Sequence, residues 1–300
     1  MNDAIHIEDV TYTIRKGFWL KKSKLLQKVT LNIKPQEAVA VVGPNGAGKT
    51  TLFKIAAGLI RPDSGKALLS GSQASCPSAK EELAFLTENQ YIYPHLSIAE
   101  WLNFMGRCLG LSKKIRQKRV YALMEEYALL PHAKKPLKEL SKGLRQRTML
   151  AQLFLNQPRT LILDEPMSGL DHLWREKLRE HLNRFRAQGG TLLFSTHILP
   201  DVEALCDRVV YLDGGRIKWD GPIDHVLNQG RQMHVVLKKG KIPPATPFEN
   251  TLWERSGQQA CLLSPEAMEK LQQELASGSD WRILRAAPHI PSLEAMFHHA

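Results

Sequence analysis

The sequence predicts an α/β fold in which a mostly parallel sheet is covered by helices on both sides. Three observations predict this class. Short apolar segments alternate with segments of helical periodicity as far as residues 220–222. A glycine-rich loop stands between one of these apolar segments and a helical one. Apolar residues make up 43% of the 300 residues, which is enough to form a packed core.

The first predicted elements are two strands, at residues 5–11 and around Leu31 and Ile33. Apolar and polar residues alternate in the first strand, although imperfectly. Between the strands, residues 15–24 interleave aromatic and basic side chains. This segment is either the solvated tip of a hairpin or a surface for a membrane interface or nucleic acid, and the sequence leaves these alternatives open.

The glycine-rich loop follows a buried strand predicted at residues 38–42 and precedes a helix predicted at residues 51–59. It fits the phosphate-binding pattern G-x-x-x-x-G-K-[ST]. Its glycines allow backbone N–H groups to point at phosphate oxygens, and the helix N-terminus adds partial positive charge. Lys49 can reach the β- and γ-phosphates, and Thr50 offers a hydroxyl to Mg²⁺. The loop residues are Gly43, Pro44, Asn45, Gly46, Ala47, Gly48, Lys49, Thr50 and Thr51.

Two further strands are predicted at residues 66–70 and 83–87, and residues 96–156 are predicted to be mostly helical. Ser97 is expected to cap one helix. A second helix lies within residues 112–130, and the basic run at its start is interpreted as a solvent-exposed face. Its predicted apolar face consists of Ile115, Tyr121, Leu123, Met124 and Tyr127.

The strand pattern returns at residues 160–163, 191–195 and 209–212. The first of these strands is followed by Asp164 and Glu165, at the edge of a parallel sheet where ligands bind. Asp164 can hold Mg²⁺, and Glu165 can polarise the water that attacks a γ-phosphate. The helix between the first two strands is predicted to place on one face Trp174, Leu178, Leu182 and Phe185.

The alternation of strand and helix stops near residues 220–222, and a smaller α+β unit follows. Its strands are predicted at residues 232–237, 259–263 and 281–284. A helix starts at Ser264 and Pro265, with an inward face of Met268, Leu271 and Leu275, and a last short helix is capped by Ser292.

These elements predict two domains. One domain is expected at residues 1–228, with a helical subdomain at about 90–156. An accessory domain is expected at residues 229–300, and no motif indicates its role.

Charge and composition limit the compartment and the partners. The net charge of +11 favours a polyanionic neighbour such as a nucleotide, nucleic acid or an anionic membrane face, or else a solvated basic surface. Four cysteines without a C-x-x-C pair argue against a disulfide framework or a zinc site. The sequence contains no apolar run long enough to span a membrane and no recognisable signal peptide, so we expect a cytosolic protein attached to membranes only through partners.

A second set of motifs adds a family resemblance. Residues 140–147 read Leu-Ser-Lys-Gly-Leu-Arg-Gln-Arg, and the acidic strand end, Ser-Gly-Leu-Asp at 168–171 and Ser-Thr-His at 195–197 follow in order. Over roughly residues 1–225, the chain resembles the ATP-binding subunits of ABC transporters. This resemblance implies a P-loop NTPase fold of the ABC type, with ATP and Mg²⁺ as cofactors and ATP hydrolysis as the activity.

The resemblance also implies roles for single residues. Ser141 and Gly143 present hydroxyl and N–H groups to the γ-phosphate bound by a second copy of the chain, and Asp171 crosses the interface between the copies. Asp164 serves Mg²⁺ and Glu165 is the general base. His197 contacts the γ-phosphate as a switch.

Two positions depart from the family pattern, since Lys142 and Leu144 stand where the signature usually has glycine and glutamine. Glu88 stands where the family usually has a glutamine that supplies an oxygen to Mg²⁺ or water. Gln90 is the alternative for this role. The aromatic residue that stacks on adenine is assigned to Tyr12, although a simple register places Ile14 there.

The form of the signature and the ending at residues 291–297 are similar to the type-2 export branch, which predicts a motor subunit for an exporter. The implied partners are a second copy of the chain and a polytopic membrane permease, which would hold the protein at the inner face of the cell membrane. The aromatic segment with Tyr91 and Tyr93 is expected either to fill the core or to dock this permease.

Two other functions compete with this prediction. A soluble ABC-type ATPase acting on nucleic acid or ribosomes suits the charge, but such proteins typically carry two cassettes or a long coiled coil, so nucleic acid is not expected as a partner. A regulatory module without turnover conflicts with intact Lys49, Asp164, Glu165 and His197.

Overall fold

The computed structural model describes residues 3–16, 21–88, 92–224, 232–240, 250–255, 257–277 and 279–289. The chain divides into two compact units, residues 1–221 and residues 222–300. The domain boundary predicted at residues 228 and 229 lies outside the described residues, so that boundary stays a prediction. In the described part of the chain, no helix combines the length and the apolar character needed to cross a bilayer.

The larger unit alternates strands and helices. The strands are β1 (Ile5–Lys16), β2 (Lys21–Ile33), β3 (Ala38–Val42), β4 (Ser64–Leu69), β5 (Ser72–Gln73), β6 (Leu83–Leu86), β7 (Thr160–Leu163), β8 (Thr191–Ser195), β9 (Arg208–Asp213) and β10 (Arg216–Pro222). The helices are α1 (Lys49–Ala56), α2 (Ile98–Cys108), α3 (Lys113–Glu126), α4 (Lys142–Leu153), α5 (His172–Ala187) and α6 (Leu199–Leu205).

A six-stranded sheet forms the centre of this unit, in the order β10-β9-β3-β8-β7-β6. Strand β3 pairs in parallel with β8 and β9, and β7 pairs in parallel with β6 and β8. All residues of β3, β7 and β8 are buried, as expected for parallel strands covered on both faces. The parallel pairing brings the carboxyl ends of β3, β6, β7 and β8 to one edge of the sheet.

The first strands form a separate antiparallel sheet, with the order β2-β1-β4-β5, which the sequence pattern did not predict. The imperfect alternation in β1 results from a bulge at Asp9, whose φ is 47° and where the pairing shifts between Ile7 and Val10. Because of the bulge, Ile5, Ile7 and Val10 are all fully buried. Residues 17–20, at the tip of the predicted hairpin, lie outside the described residues.

Helix α1 joins the two sheets through one hydrophobic core. Leu52 and Phe53 of α1 are fully buried in the cluster that contains Ile7 of β1 and Val39 and Val41 of β3. The loop before α1 is therefore anchored to both sheets.

Helices α2, α3 and α4 occupy the predicted helical region. Ser97 caps α2 as predicted, and Glu100 completes a capping box by accepting a hydrogen bond from the Ser97 N–H at 2.8 Å. The predicted face of α3 is wrong in part, since Ile115 and Tyr121 are 46% and 56% exposed. The buried residues are spaced at i, i+3, i+4 and i+7, and they are Val120, Leu123, Met124 and Tyr127.

Among the residues that the structure describes, the smaller unit contains a four-stranded antiparallel sheet with a helix packed on it. Its strands are β11 (Gln232–Lys238), β12 (Asn250–Arg255), β13 (Gln258–Leu263) and β14 (Arg282–His289), in the order β12-β13-β11-β14, and its helix is α7 (Pro265–Ser277). Met268 and Leu271 of α7 are buried, and Leu275 packs against them, as predicted. The helix predicted after Ser292 and the ending at residues 291–297 lie outside the described residues.

Candidate functional site

The glycine-rich loop leaves β3 and enters α1 at the edge of the sheet defined by the carboxyl ends of its strands. Gly43 has a φ of +149°, and a Cβ at this position would lie 2.0 Å from the carbonyl oxygen of Leu212, so only glycine lets the loop approach β9 this closely. Among the described residues, no side chain caps α1 at Gly48. The N–H groups of the first turn of α1 are consequently open to an anion.

Lys49 lies over its own loop. Its Nζ donates hydrogen bonds to the carbonyl oxygens of Gly43 at 2.6 Å and Pro44 at 3.2 Å. Asn45 and Gly46 are exposed at the tip of the loop, while Ala47 is buried. The ammonium of Lys49 therefore lies against the backbone of residues 43 and 44, at the start of the loop.

Asp164 connects the loop to two strand ends. Its side chain follows β7 and is 2% exposed. The hydroxyl of Thr50 donates to Oδ2 of Asp164 at 2.5 Å, and the hydroxyl of Ser195 donates to Oδ1 at 2.7 Å. Both carboxylate oxygens are therefore oriented, as a buried charge requires. In the sequence, Ser195 stands out only as part of the Ser-Thr-His motif at 195–197. Its place at the end of a predicted strand, where ligands bind in parallel sheets, is the signal that could have identified this contact.

Glu165 lies in the left-handed region, with a φ of 50°, which is strained for a residue with a Cβ. Its N–H donates to the Ser195 hydroxyl at 2.9 Å, and this contact holds the turn. Its Oε2 lies 3.1 Å from Nδ1 of His197. The Glu165 side chain is 19% exposed and that of His197 is 70% exposed, so the pair faces the solvent at the strand end.

Glu88 lies at the same edge as Glu165. Strand β6 pairs with β7 so that Leu86 is opposite Leu163, and the N–H of Asp164 donates to the carbonyl oxygen of Leu86 at 2.9 Å. Glu88 and Glu165 are each the second residue after this pair, and Glu88 is exposed. The alternative Gln90 lies outside the described residues.

The signature segment begins helix α4. Ser141 is the N-cap residue, and its hydroxyl accepts a hydrogen bond from the N–H of Leu144 at 3.3 Å. A Cβ on Gly143 would lie 3.2 Å from the carbonyl oxygen of Gly169, so the segment lies directly beside the loop that follows Glu165. Lys142, one of the departures from the family pattern, lays its aliphatic stem against Gly169.

Asp171 is exposed at the end of the same loop and caps α5. Its Oδ1 accepts a hydrogen bond from the N–H of Trp174 at 2.9 Å. The guanidinium of Arg147 lies 4.3 Å from the centre of the Trp174 ring, which ties α4 to α5. Burial lowers the pKa of Arg147, and the Asp171 carboxylate acts in the opposite direction. Trp174 is predicted to share one face of α5 with Leu178, Leu182 and Phe185; those three residues are buried, whereas Trp174 is half-buried and forms this contact.

Tyr12, which is predicted to stack on the adenine of ATP, lies in β1 opposite Leu26. It is half-buried against the hydrophobic core, and Ile14 on the same strand is also half-buried. The adenine-stacking assignment stays a prediction.

One edge of the sheet thus carries a glycine-rich loop with N–H groups open to an anion, a buried carboxylate joined to a hydroxyl, and a second carboxylate paired with a histidine. These are the groups that phosphoryl transfer from a nucleoside triphosphate requires. The family described as ABC transporter matches residues 26–168. An ABC transporter ATP-binding protein of Synechocystis sp. is 38% identical over 242 residues, which cover 80% of this chain and 68% of the relative. This chain belongs to the ATP-binding proteins of ABC transporters.

Two other relatives are similar to the chain, the first over most of its length and the second over a shorter part. The ABC transporter ATP-binding protein YdbJ of Bacillus subtilis is 31% identical over 283 residues, which cover 91% of this chain and 89% of YdbJ. The Nod factor export ATP-binding protein I of Cupriavidus pinatubonensis is 34% identical over 194 residues, which cover 64% of this chain and 60% of that protein.

Solved structures confirm the predicted fold class. The ATP-binding subunit of an ABC transporter has a TM-score of 0.67 and 32% identity, over 75% of this chain and 92% of that subunit. A dimeric ATP-binding cassette bound to ADP and Pi has the same TM-score of 0.67 with 24% identity, over 73% of this chain and 98% of the cassette, and it shows the shared fold. This ABC protein is a P-loop NTPase that hydrolyses ATP.

Proposed function

We propose that this ABC ATP-binding protein is the motor subunit of an exporter and drives a separate polytopic membrane permease. The observation that carries the proposal is the joining of the phosphate loop, Asp164 and the Glu165–His197 pair at one sheet edge. The Nod factor export relative supports the direction of transport.

The phosphates of ATP would be bound by the N–H groups of residues 43–51 and by the Lys49 ammonium. The oxygens of Thr50 and Asp164 fit Mg²⁺, because this ion takes one or two carboxylates together with phosphate oxygens and water. Consistent with this, the described residues contain no group of three or more His, Cys, Asp or Glu side chains that could form a separate metal site. When bound, Mg²⁺ neutralises charge on the phosphate oxygens.

Glu165 is proposed as the general base. Its carboxylate takes a proton from the attacking water, and the Ser195 hydroxyl holds the backbone of Glu165 in the conformation that presents this carboxylate. His197 contacts the Glu165 carboxylate through Nδ1 and thereby orients it. The second ring nitrogen of His197 would contact the γ-phosphate.

A second copy of the chain is proposed to complete the site. Ser141 and Asp171 are exposed, and the close approach of Gly143 to Gly169 places their segments side by side. The N-terminus of α4 offers N–H groups to an anion, and a γ-phosphate bound by the other copy would supply it. The solved cassette in its dimeric state supports this arrangement for the shared fold.

The permease is proposed to dock beside the end of β6. A cavity of about 190 Å³ lies there, and it is lined by Phe85, Leu86, Thr87, Trp101, Met105, Met149, Gln152 and Leu153. Tyr93 is 50% exposed, and its ring lies 6.0 Å from that of Trp101 and 5.5 Å from that of Phe104. An exposed tyrosine that packs on two further aromatic rings, one of which lines this cavity, favours a partner site. The neighbouring Tyr91 lies outside the described residues.

Tyr93→Ala is therefore expected to leave folding and ATP hydrolysis close to wild type and to weaken co-purification with the permease about tenfold, the cost of a modest hot spot. Tyr121→Ala is the matched control, because Tyr121 is similarly exposed but lies on α3. Thermal melts, phosphate release and co-purification are measured on both variants. Equal retention of the permease by the two variants would remove Tyr93 from the interface.

The role of Glu88 is tested by two substitutions. Glu88→Gln keeps an oxygen ligand and is expected to change coupled hydrolysis by less than about threefold, whereas Glu88→Ala removes the ligand and is expected to cost tenfold or more. Gln90→Ala is the comparison. Loss of coupling in Gln90→Ala alone would move the assignment to that residue.

The motor function itself is tested by affinity purification from membranes of the native cell. Retention of a polytopic membrane protein supports the proposal. Retention of ribosomes or nucleic acid instead would favour the soluble ATPase, which the net charge of +11 also suits.

A further inference from the structure

We propose that Arg179 and Asp201 are positioning residues that hold the loop carrying His197. The proposal rests on the proposed roles of His197 and Glu165 in hydrolysis. The two residues belong to helices α5 and α6, outside the motifs of the phosphate site.

Asp201 is fully buried, with 0% exposure of its side chain. Arg179 is its cationic partner, and its Nε and Nη2 donate to the same oxygen, Oδ1, at 2.9 Å and 2.6 Å. A buried carboxylate is costly unless it is paired and hydrogen-bonded in this way, so the pair fixes α6 against α5.

The other carboxylate oxygen of Asp201 faces the loop. Oδ2 accepts from the Thr196 hydroxyl in a long contact of 3.4 Å, and the same hydroxyl accepts from the N–H of Ile198 at 3.1 Å. The N–H of Asp201 in turn donates to the carbonyl oxygen of Ile198 at 3.1 Å. His197 lies between Thr196 and Ile198, so its backbone is held on both sides by groups connected to Asp201.

Thr196 also lies directly after Ser195. Ser195 binds Asp164 and the N–H of Glu165, and His197 binds the Glu165 carboxylate. A displacement of the loop would therefore change the position of the general base and of its histidine partner together. Misplacement of reacting groups by about 1 Å can lower a rate about a hundredfold.

Helix α5 supplies a matched control. Arg186 forms a second ion pair, in which Nη2 lies 2.7 Å and 2.6 Å from the two oxygens of Asp207. Asp207 accepts from the N–H of Ala38, at the start of β3 and at the opposite end of that strand from the phosphate loop. This pair fixes α5 to the sheet without a contact to residues 196–198 in the described part of the chain.

The experiment compares Thr196→Val, which is nearly isosteric and lacks the hydroxyl, with Thr196→Ser, which keeps it. Arg179→Met is compared with Arg179→Lys, which keeps the charge and one contact, and with Arg186→Met. For each full-length variant, kcat for ATP, Kd for the analogue AMP-PNP with Mg²⁺, and Tm are measured. His197→Ala is the reference for loss of the switch.

We expect Thr196→Val and Arg179→Met to lower kcat ten- to a hundredfold while Kd changes less than about threefold. Thr196→Ser should stay close to wild type, Arg179→Lys should be intermediate, and Arg186→Met should lower Tm with kcat maintained.

Wild-type kcat in Thr196→Val and Arg179→Met would overturn the positioning role. Equal losses of kcat, affinity and Tm in Arg179→Met and Arg186→Met, with Thr196→Val unaffected, would also overturn it by showing a general structural effect. Full hydrolysis by His197→Ala would refute the proposed role of His197 itself. The error would then lie in the proposed function of His197 and not in the positioning of its loop. If Arg179→Met fails to fold, the Thr196 pair decides the question.

Discussion

Glu165→Gln is expected to lower ATP turnover by about 10²–10⁴-fold while ATP binding persists. Glutamine has nearly the same shape as glutamate, and the hydrogen bond from the backbone N–H of residue 165 to Ser195 does not depend on the side chain. The amide cannot take a proton from water, however, so only the chemical step is lost. Steady-state phosphate release and equilibrium binding of ATP measure the two effects separately.

The same variant tests whether a second copy of the chain completes the ATP site. If hydrolysis opens a dimer that ATP closes, the variant should accumulate as an ATP-bound dimer in size-exclusion chromatography. Glu180→Gln, an exposed carboxylate on α5, is the control and should behave as wild type. Undiminished hydrolysis in Glu165→Gln would exclude Glu165 as the base, and a species that remains monomeric with ATP would count against the shared site.

Lys49→Ala is expected to weaken ATP binding roughly a hundredfold or more. Hydrogen bonds to a charged group contribute about 1.5–3 kcal/mol each, and every 1.4 kcal/mol is a factor of ten in affinity. The substitution also removes the two contacts from Nζ to Gly43 and Pro44, so the loop loses part of its own support. Isothermal titration with ATP and Mg²⁺ measures the affinity.

Lys54→Ala provides the control for Lys49→Ala, because Lys54 lies in the last turn of the same helix, away from the loop. We expect it to bind ATP as the wild type does. Unchanged affinity in Lys49→Ala would refute the assignment of residues 43–51 as the phosphate site.

Several features of the site were predictable because they are local in sequence. A buried strand, a glycine-rich turn and a helix N-terminus are consecutive between residues 38 and 56, so the spacing of residue types alone indicates an anion site. Asp164 and Glu165 directly follow the apolar residues of β7, and the parallel sheet then places them at the ligand-binding edge. The family resemblance rests on such contiguous motifs, and the comparisons confirm it.

Local patterns were less reliable where two faces competed. In α3, Ile115 and Tyr121 are apolar, but packing buries the face that begins at Val120. In β1, the residues Ile7 and Val10 are both buried only because the bulge at Asp9 reverses the alternation. Which face of α3 or β1 is buried depends on the elements that pack against it. Those elements are distant in the sequence, so a local pattern does not show them.

The sequence by itself determined the fold class and the family, and it predicted the groups proposed to bind phosphate, since each is encoded in short segments with their own chemistry. Only the tertiary structure decided how these groups are held. Ser195 joins Asp164 because β8 lies beside β7, and Asp201 meets Arg179 because α6 packs on α5. Contacts of this kind join residues that are 22 and 31 positions apart. They depend on strand order and helix packing, which the burial of the whole core selects and which no single segment specifies.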